Sequence, residues 1–277
     1  MVTTPRITLN DGTSIPQIGF GVFQVPADQV VTPVVAAIET GYRLIDTAAA
    51  YGNEEGVGQA IANSDVPRDD LYITTKLGND DHGYDKALAA FDASLAKLGL
   101  DTVDLYLIHW PLPNRDLYVD TWKAFEKILA DGRARSIGVS NFNVEHLERL
   151  AGESGVVPVV NQIELHPRFA QAKLRAYNAQ HGIATEAWSP IGQGKGLLDD
   201  DVVAGIAKAQ DRSPAQVVLR WHIQLGDVVI PKSVNPDRIR ENIEVFDFEL
   251  SSEEMDQLSE LGPEDRVGPD PATFDPT

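Results

Sequence analysis

Four side chains that could take part in proton transfer lie at or just beyond the ends of short apolar runs. Asp46, Lys76 and His109 end such runs, and Tyr51 lies in the loop after Asp46. A phenol has a pKa of about 10, and a neighbouring ammonium lowers this pKa because it favours the phenolate. We therefore expect Lys76 to lower the pKa of Tyr51, and Asp46 to hold Lys76 charged. With His109 positioned to bind a substrate oxygen, the set predicts general acid–base chemistry.

Each of these residues also has an ordinary structural explanation. Asp46 could cap a helix, and Lys76 could be a solvated lysine at a strand end. His109 could pack beneath Trp110, and Tyr51 could be a loop aromatic. The functional interpretation is favoured only if the fold brings all four to one place.

Short apolar runs alternate with longer stretches of helical period along most of the chain. Strand ends are predicted near Gly21, Asp46, Lys76, His109, Ser140, Gln162, Trp188 and Pro231. Helices are predicted to begin near Thr32, Asn53, Tyr84, Asp116, Asn143, Gln171, Asp199 and Pro236. Such alternation implies a parallel sheet, and eight βα units can close into a TIM (β/α)8 barrel. An open doubly wound sheet is the alternative, but a barrel would gather the polar strand ends at one mouth.

A hairpin and two additional helices are predicted outside the eight units. Asp11-Gly12 is a favoured turn between two short runs, so we expect an N-terminal β-hairpin that closes the barrel floor. One additional helix is predicted over residues 214–225 after the cap Ser213, and another after Ser251. Residues 262–277 are rich in proline and are predicted to form a loop or tail. Because the sequence contains no linker that would divide it, we expect residues 1–277 to form one domain.

Composition excludes several classes of function. The chain of 277 residues is 43% hydrophobic and has no cysteine, so a thiolate nucleophile or a cysteine-ligated metal is excluded. The formal net charge of −19 argues against a nucleic-acid or anionic membrane partner. The six histidines are scattered, so no metal is expected. No apolar run spans a bilayer and no secretory leader is evident, so we expect a cytoplasmic protein, and a monomer.

A phosphate-binding region is predicted after the last two strands. Residues 192–196 (GQGKG) would let backbone amides approach a pyrophosphate, and no Gly-x-Gly-x-x-Gly of the Rossmann type is present. Lys232, Ser233 and Arg238 surround a helix start at Asn235-Pro236, which suits a phosphate monoester such as the 2′-phosphate of NADPH. The alternative is a glycine turn and a solvated basic turn.

Motifs over nearly the whole chain resemble those of the aldo-keto reductases, in the order and spacing of that family. They are residues 41–48 (GYRLIDTA), 51–54 (YGNE), 73–77 (ITTKL), 105–111 (LYLIHWP), 136–142 (SIGVSNF), 161–167 (NQIELHP) and 230–233 (IPKS). The bacterial 2,5-diketo-D-gluconate reductases look most similar. The resemblance implies NADPH-dependent carbonyl reduction with a catalytic tetrad of Asp46, Tyr51, Lys76 and His109, in which Tyr51 is the general acid.

The resemblance also implies the cofactor contacts. Ser140, Asn141 and Gln162 would hold the nicotinamide amide, and Trp188 would stack on its ring. The loop after the seventh strand would contribute Ser189, Pro190, Gly192, Gln193 and Gly194. The adenosine end would be bound by Lys232, Ser233, Val234, Arg238, Glu241 and Asn242.

Phe23, Gly78 and Trp110 would line the substrate pocket, although core packing remains an alternative for the two aromatics. Gly78 stands where such relatives often have a tryptophan, which leaves the range of small carbonyl substrates open. Two alternative functions are compatible with the same barrel. A non-catalytic NADP-binding regulatory subunit could share the barrel, but the complete tetrad argues against it. A Schiff-base aldolase could use Lys76, but Asp46 would disfavour the neutral amine.

Overall fold

The structure is a computed structural model that describes residues 4–262 and 265–276. The fold begins with an antiparallel hairpin of two strands, β1 (Arg6–Thr8) and β2 (Ser14–Pro16). The turn between them contains Gly12 at φ +83°, a conformation that glycine adopts without strain. Ser136 inside the barrel donates a 2.6 Å hydrogen bond to Asp11, which fixes the hairpin across the barrel floor. The predicted hairpin is confirmed.

Eight parallel strands follow in the described residues, each hydrogen-bonded to the next. They are β3 (Phe20–Gly21), β4 (Leu44–Asp46), β5 (Tyr72–Leu77), β6 (Val103–Ile108), β7 (Ala134–Ser140), β8 (Val160–Glu164), β9 (Ala184–Trp188) and β10 (Val228–Val229). The backbone N–H of Gly19 donates to Val229 at 2.8 Å, and that of Gly21 donates to Pro231 at 3.1 Å. These bonds join the last strand to the first, so the sheet is a closed barrel and the alternative of an open sheet is wrong.

The described residues form ten α-helices. They are α1 (Val31–Thr40), α2 (Glu54–Ala62), α3 (Tyr84–Leu98), α4 (Tyr118–Ala130), α5 (Val144–Glu153), α6 (Ala172–Gln180), α7 (Asp201–Gln210), α8 (Pro214–Leu225), α9 (Pro236–Ile243) and α10 (Ser252–Ser259). The two additional helices are α8 and α10, as predicted. Ser213 and Gln216 form a reciprocal cap at the start of α8.

Two helices begin two residues later than the sequence indicated, each because of local backbone geometry. Asp116 has a φ of +53° and therefore cannot belong to α4. Asp200 is the cap of α7, since its carboxylate accepts a hydrogen bond from the Val202 backbone N–H at 3.0 Å.

The barrel interior changes from apolar at the floor to polar at the mouth because alternate residues of each strand point inward. Tyr72, Leu105 and Val160 pack at the floor with Ile15 of the hairpin. On β5 the inward positions continue upward to Lys76, and on β9 they run through Glu186 to Trp188. The outer faces of the strands pack against the helices in one large core. The polar strand ends therefore meet at one mouth.

Candidate active site

Lys76 lies at the centre of the mouth and contacts two of its predicted partners. Its Nζ donates hydrogen bonds to Asp46 Oδ1 at 2.6 Å, to the Thr47 carbonyl at 2.9 Å and to the Tyr51 hydroxyl at 3.3 Å. Lys76 is fully buried. Burial is the largest single effect and by itself lowers the pKa of Lys76, but the charge and hydrogen bond of Asp46, together with smaller effects of Tyr51 and Glu186, outweigh it, and the pKa rises above its usual value. Lys76 is therefore an ammonium ion at neutral pH, which disfavours the aldolase alternative.

The environment of Tyr51 differs from the sequence-based expectation. Burial raises the pKa of Tyr51 above its usual value, and the charge and hydrogen bond of Lys76 only partly offset this effect. The negative charges of Asp46 and Glu186 raise the pKa further. The expected lowering by Lys76 is present, but the expected net decrease is wrong because desolvation of the phenolate is larger. Tyr51 is therefore protonated at neutral pH, as a proton donor must be.

His109 lies beside Tyr51, with ring centroids 5.7 Å apart. Burial and the positive charge of Lys76 lower the pKa of His109 to about 3, so the imidazole is neutral. A neutral imidazole has one N–H to donate. The nearby His82 was not singled out from the sequence, and neither of its buried ring nitrogens has a hydrogen-bond partner in the described part of the chain. Its position in an irregular loop gave no periodic signal.

Gln162 connects Asp46 with a second buried carboxyl group. Gln162 Nε2 donates to Asp46 Oδ2 at 2.9 Å and to Glu186 Oε2 at 3.0 Å. Burial, and then the charge of Asp46, raise the pKa of Glu186 to about 8. Glu186 was not among the predicted site residues. Its signal was the two-residue alternation of β9, which places it on the same inward face as Trp188.

The residues expected to hold a nicotinamide amide form one hydrogen-bonded group with Gln162. Ser140 Oγ donates to the Gln162 carbonyl at 2.8 Å, and Asn141 Nδ2 donates to the His109 carbonyl at 2.9 Å. Trp188 Nε1 donates to Asn141 Oδ1 at 2.8 Å. Asn141 has a φ of +63°, a strained value for a residue other than glycine. This backbone strain lies at the end of β7, beside the tetrad.

The loop after β9 is held by its own contacts. Ser189 has a φ of +50°, and its Oγ accepts a 2.7 Å hydrogen bond from Gln193 Nε2. Pro190 is buried, and its carbonyl contacts His222 Nε2 at 3.1 Å. Gly192 and Gly194 have φ values of +69° and +70°. These φ values suit a tight glycine turn, and the approach of the loop's backbone amides to a pyrophosphate stays a prediction.

The start of α9 presents unpaired positive charge. Asn235 Oδ1 caps the helix by accepting from the backbone N–H groups of Asp237 and Arg238 at 2.9 and 3.1 Å. Lys232 and Arg238 are exposed, and neither forms an ion pair with residues 4–262 or 265–276. The remaining members of the predicted set are distributed around this turn: Ser233 and Asn242 are buried, Glu241 is half-buried and Val234 is 59% exposed. This cluster makes no hydrogen bond to the tetrad among the described residues.

Residues 265–276 cross the barrel mouth, a placement with no signal in the sequence. Glu164 accepts hydrogen bonds from the backbone N–H groups of Val267 and Gly268, at 2.5 and 2.9 Å. A Cβ on Gly268 would lie 2.5 Å from Trp188, so only glycine permits this approach. Phe274 packs on Trp110 with ring centroids 4.4 Å apart. The predicted tail thus forms part of the wall around the mouth.

The three residues expected in a substrate pocket lie around this mouth. Phe23 is 46% exposed and packs on Tyr51, with ring centroids 5.1 Å apart. Trp110 lies between His109 and Trp188, with ring centroids 6.5 Å from each. Gly78 follows β5, and a Cβ there would lie 2.7 Å from Asp81 Oδ2. A side chain at position 78 would therefore have to displace the flexible Asp81 carboxylate.

Within residues 4–262 and 265–276, no three histidine, aspartate or glutamate side chains are grouped in a way that could hold a metal ion. No helix in this part of the chain is long and apolar enough to cross a membrane.

Comparisons with known proteins identify relatives along almost the entire chain. The model of the aldo/keto reductase family matches residues 17–263. An aldo-keto reductase of Mycolicibacterium smegmatis is 60% identical over 271 residues, which are 98% of each chain. Methylglyoxal reductase DkgA of Escherichia coli is 51% identical over 275 residues, which are 99% of each chain. A solved structure of mutant Gox0644 in complex with NADPH aligns with a TM-score of 0.95 and 47% identity, covering 99% of this chain and 100% of the other.

Proposed function

This chain belongs to the aldo/keto reductase family and is an NADP-dependent oxidoreductase, and we propose that it reduces aldehydes, ketones or keto-sugars to alcohols with Tyr51 as the general acid. The observation that carries the proposal is the position of Lys76 Nζ, which is 2.6 Å from Asp46 and 3.3 Å from the Tyr51 hydroxyl. A protonated phenol is thereby placed against a fixed ammonium ion at the mouth of the barrel.

NADPH, when bound, supplies a hydride to the carbonyl carbon of the substrate. The protein's contribution is to position and protonate the carbonyl oxygen. The single N–H of neutral His109 binds this oxygen, and the Tyr51 O–H bond breaks as its proton passes to the oxygen. The phenolate that remains on Tyr51 is stabilised by the hydrogen bond and charge of Lys76. Asp46 compensates the charge of Lys76, so the ammonium persists in a buried site.

The arrangement of the chain fits the cofactor at both ends. Lys232 and Arg238 supply positive charge without a competing ion pair in the described residues, at a helix start that favours a phosphate. At the other end Gln162 is hydrogen-bonded to Asp46, and Asn141 is hydrogen-bonded to the His109 carbonyl and to Trp188. We propose that Lys232, Ser233 and Arg238 bind the 2′-phosphate and that residues 192–194 lie along the pyrophosphate.

The test is to measure NADPH oxidation by Tyr51→Phe with a panel of aldehydes and ketones. Because the phenol serves only the proton step, turnover should fall by at least about 10²-fold while the Kd for NADPH stays nearly unchanged. Tyr177→Phe is a matched control, since Tyr177 lies on α6 outside the barrel. Equal turnover in Tyr51→Phe and the native protein would refute the role of Tyr51. Binding of NADPH without turnover of any carbonyl in the native protein would instead support the non-catalytic alternative.

The substrate, the domain organisation, the cellular location and the oligomeric state of the protein are also proposals. The Escherichia coli relative is named a methylglyoxal reductase, so methylglyoxal and other small carbonyls are the first substrates to assay. We propose that residues 1–277 act as one domain, because the family model spans most of them. A cytoplasmic monomer remains our prediction, and the net charge of −19 supports the absence of a nucleic-acid or anionic membrane partner.

A further inference from the structure

Glu186 is a buried acid beneath the tetrad that the mechanism above does not use. It lies on β9, is fully buried, and has one hydrogen-bonded oxygen, Oε2, which accepts from Gln162 Nε2 at 3.0 Å. Its other oxygen, Oε1, has no partner in the described part of the chain. An acid in such a position is costly for folding, which raises the question of what it does.

We propose that Glu186 is a positioning residue for carbonyl reduction, because it and Asp46 each bind one amide hydrogen of Gln162 and so direct the Gln162 amide oxygen toward the nicotinamide. This inference rests on the proposed function, in which Gln162 contacts the nicotinamide amide of NADPH.

The two ends of the Gln162 amide are chemically different, because the oxygen only accepts hydrogen bonds and the nitrogen only donates them. The Gln162 Nε2 carries two hydrogens, and both are donated, to Asp46 at 2.9 Å and to Glu186 at 3.0 Å. The reversed orientation would place the amide oxygen against Asp46 Oδ2, an oxygen of the carboxylate that is ion-paired with Lys76 and has no hydrogen to donate. In the observed orientation both carboxyl groups act as acceptors, Glu186 through Oε2. In this orientation the amide oxygen of Gln162, Oε1, has no hydrogen-bond partner among residues 4–262 and 265–276. It is therefore free to accept a hydrogen bond from the carboxamide N–H of a nicotinamide. If the Glu186 carboxyl group were removed, Asp46 would be the one remaining acceptor, and one of the two Gln162 amide hydrogens would lose its hydrogen bond.

Other charged groups around Glu186 are consistent with this role. Asp46 and Lys76 face it from β4 and β5, and Tyr51 and Tyr72 also interact with its charge. Burial and the charge of Asp46 raise the pKa of Glu186 to about 8, so at pH 7 the carboxyl group is mostly neutral. Glu186→Gln therefore imitates the native neutral group and keeps an acceptor for Gln162, whereas Glu186→Leu keeps the bulk but has no acceptor.

The experiment measures the Kd of three ligands by protein fluorescence: NADPH, its 3-acetylpyridine analogue, and adenosine 2′,5′-bisphosphate. The analogue has an acetyl group in place of the carboxamide and so cannot donate to Gln162. We expect Glu186→Leu to bind NADPH roughly tenfold more weakly, the loss of about one hydrogen bond. The analogue and the bisphosphate should bind almost as they do to the native protein. Glu186→Gln should restore NADPH binding to within about threefold of the native Kd.

Thr74→Val is the control for altering the barrel interior, because the Thr74 hydroxyl is buried without a partner among the described residues. It should leave all three Kd values unchanged. If Glu186→Leu does not bind the bisphosphate, Glu186→Met serves as a more adaptable apolar replacement, and loss of bisphosphate binding in both would overturn the proposal in favour of a purely structural role.

Two further outcomes would also overturn the positioning role: unchanged NADPH binding in Glu186→Leu, or an equal loss for NADPH and the analogue. Failure of the proposed function is distinguishable from these results. It would appear as native protein that binds NADPH but reduces no carbonyl, whatever the residue at position 186.

Discussion

The buried carboxyl group of Glu186 should make the stability of this protein fall as the pH rises. Its pKa is raised from 4.5 to about 8 by burial and by the charge of Asp46. Between these values the folded protein holds a proton that the unfolded chain has released. The free energy of unfolding therefore decreases with pH across this window, and the decrease is complete above pH 8.

The magnitude follows from the size of the pKa change. Each pH unit inside the window costs about 1.36 kcal/mol, so the full effect between pH 4.5 and about 8 is about 5 kcal/mol. Glu186→Gln has no proton to release and should escape this loss. The variant should gain stability relative to the native protein as the pH rises, by about 2 to 3 kcal/mol between pH 5.5 and 7.5.

The assay is urea unfolding followed by tryptophan fluorescence at pH 5.5, 6.5, 7.5 and 8.5. Other groups titrate in both proteins, so the difference between variant and native protein isolates Glu186. Glu148→Gln is the control for the loss of one acidic residue, since Glu148 is exposed on α5. A difference between Glu186→Gln and the native protein that does not change with pH would show that Glu186 is already ionised in the folded state.

Three further predictions concern the active site. Because the pKa of His109 is lowered to about 3, His109 should not titrate between pH 5 and 7.5, and the pH profile of kcat/KM in this range should be the same in the native protein and in His109→Gln. An inflection that is present in the native protein and absent from His109→Gln would mean that His109 becomes charged in this range. Lys232→Gly combined with Arg238→His should weaken NADPH binding by roughly tenfold or more, leave NADH binding little changed, and show a smaller NADPH penalty at high salt. Equal affinities of the native protein for the two cofactors would refute this phosphate site. Gly78→Trp should reduce kcat/KM for bulky carbonyls more than for small ones, with Gly78→Ala as the control, and an unchanged substrate profile would place Gly78 outside the pocket.

Much of the site could be predicted because its residues stand at the ends of strands. Two-residue and helical periods are local signals, and eight alternating units have few ways to pack. Once the units close into a barrel, Asp46, Lys76 and His109 must meet at one mouth. The motifs added the family, which the match over residues 17–263 confirms. Individual contacts of the cofactor and substrate remain predictions.

The sequence by itself therefore determined the order of the elements, the barrel and the identity of the residues at its mouth. The tertiary structure decided the pKa values of those residues. It also decided which residues from distant parts of the chain contact them. The pKa of Tyr51 is set by burial among several strands, which no local pattern records, and so its net direction was predicted wrongly. Likewise the contact of Phe274 with Trp110 joins a segment without periodicity to a strand end. Local spacing fixes which way a side chain faces, whereas desolvation and charge are sums over everything that surrounds it.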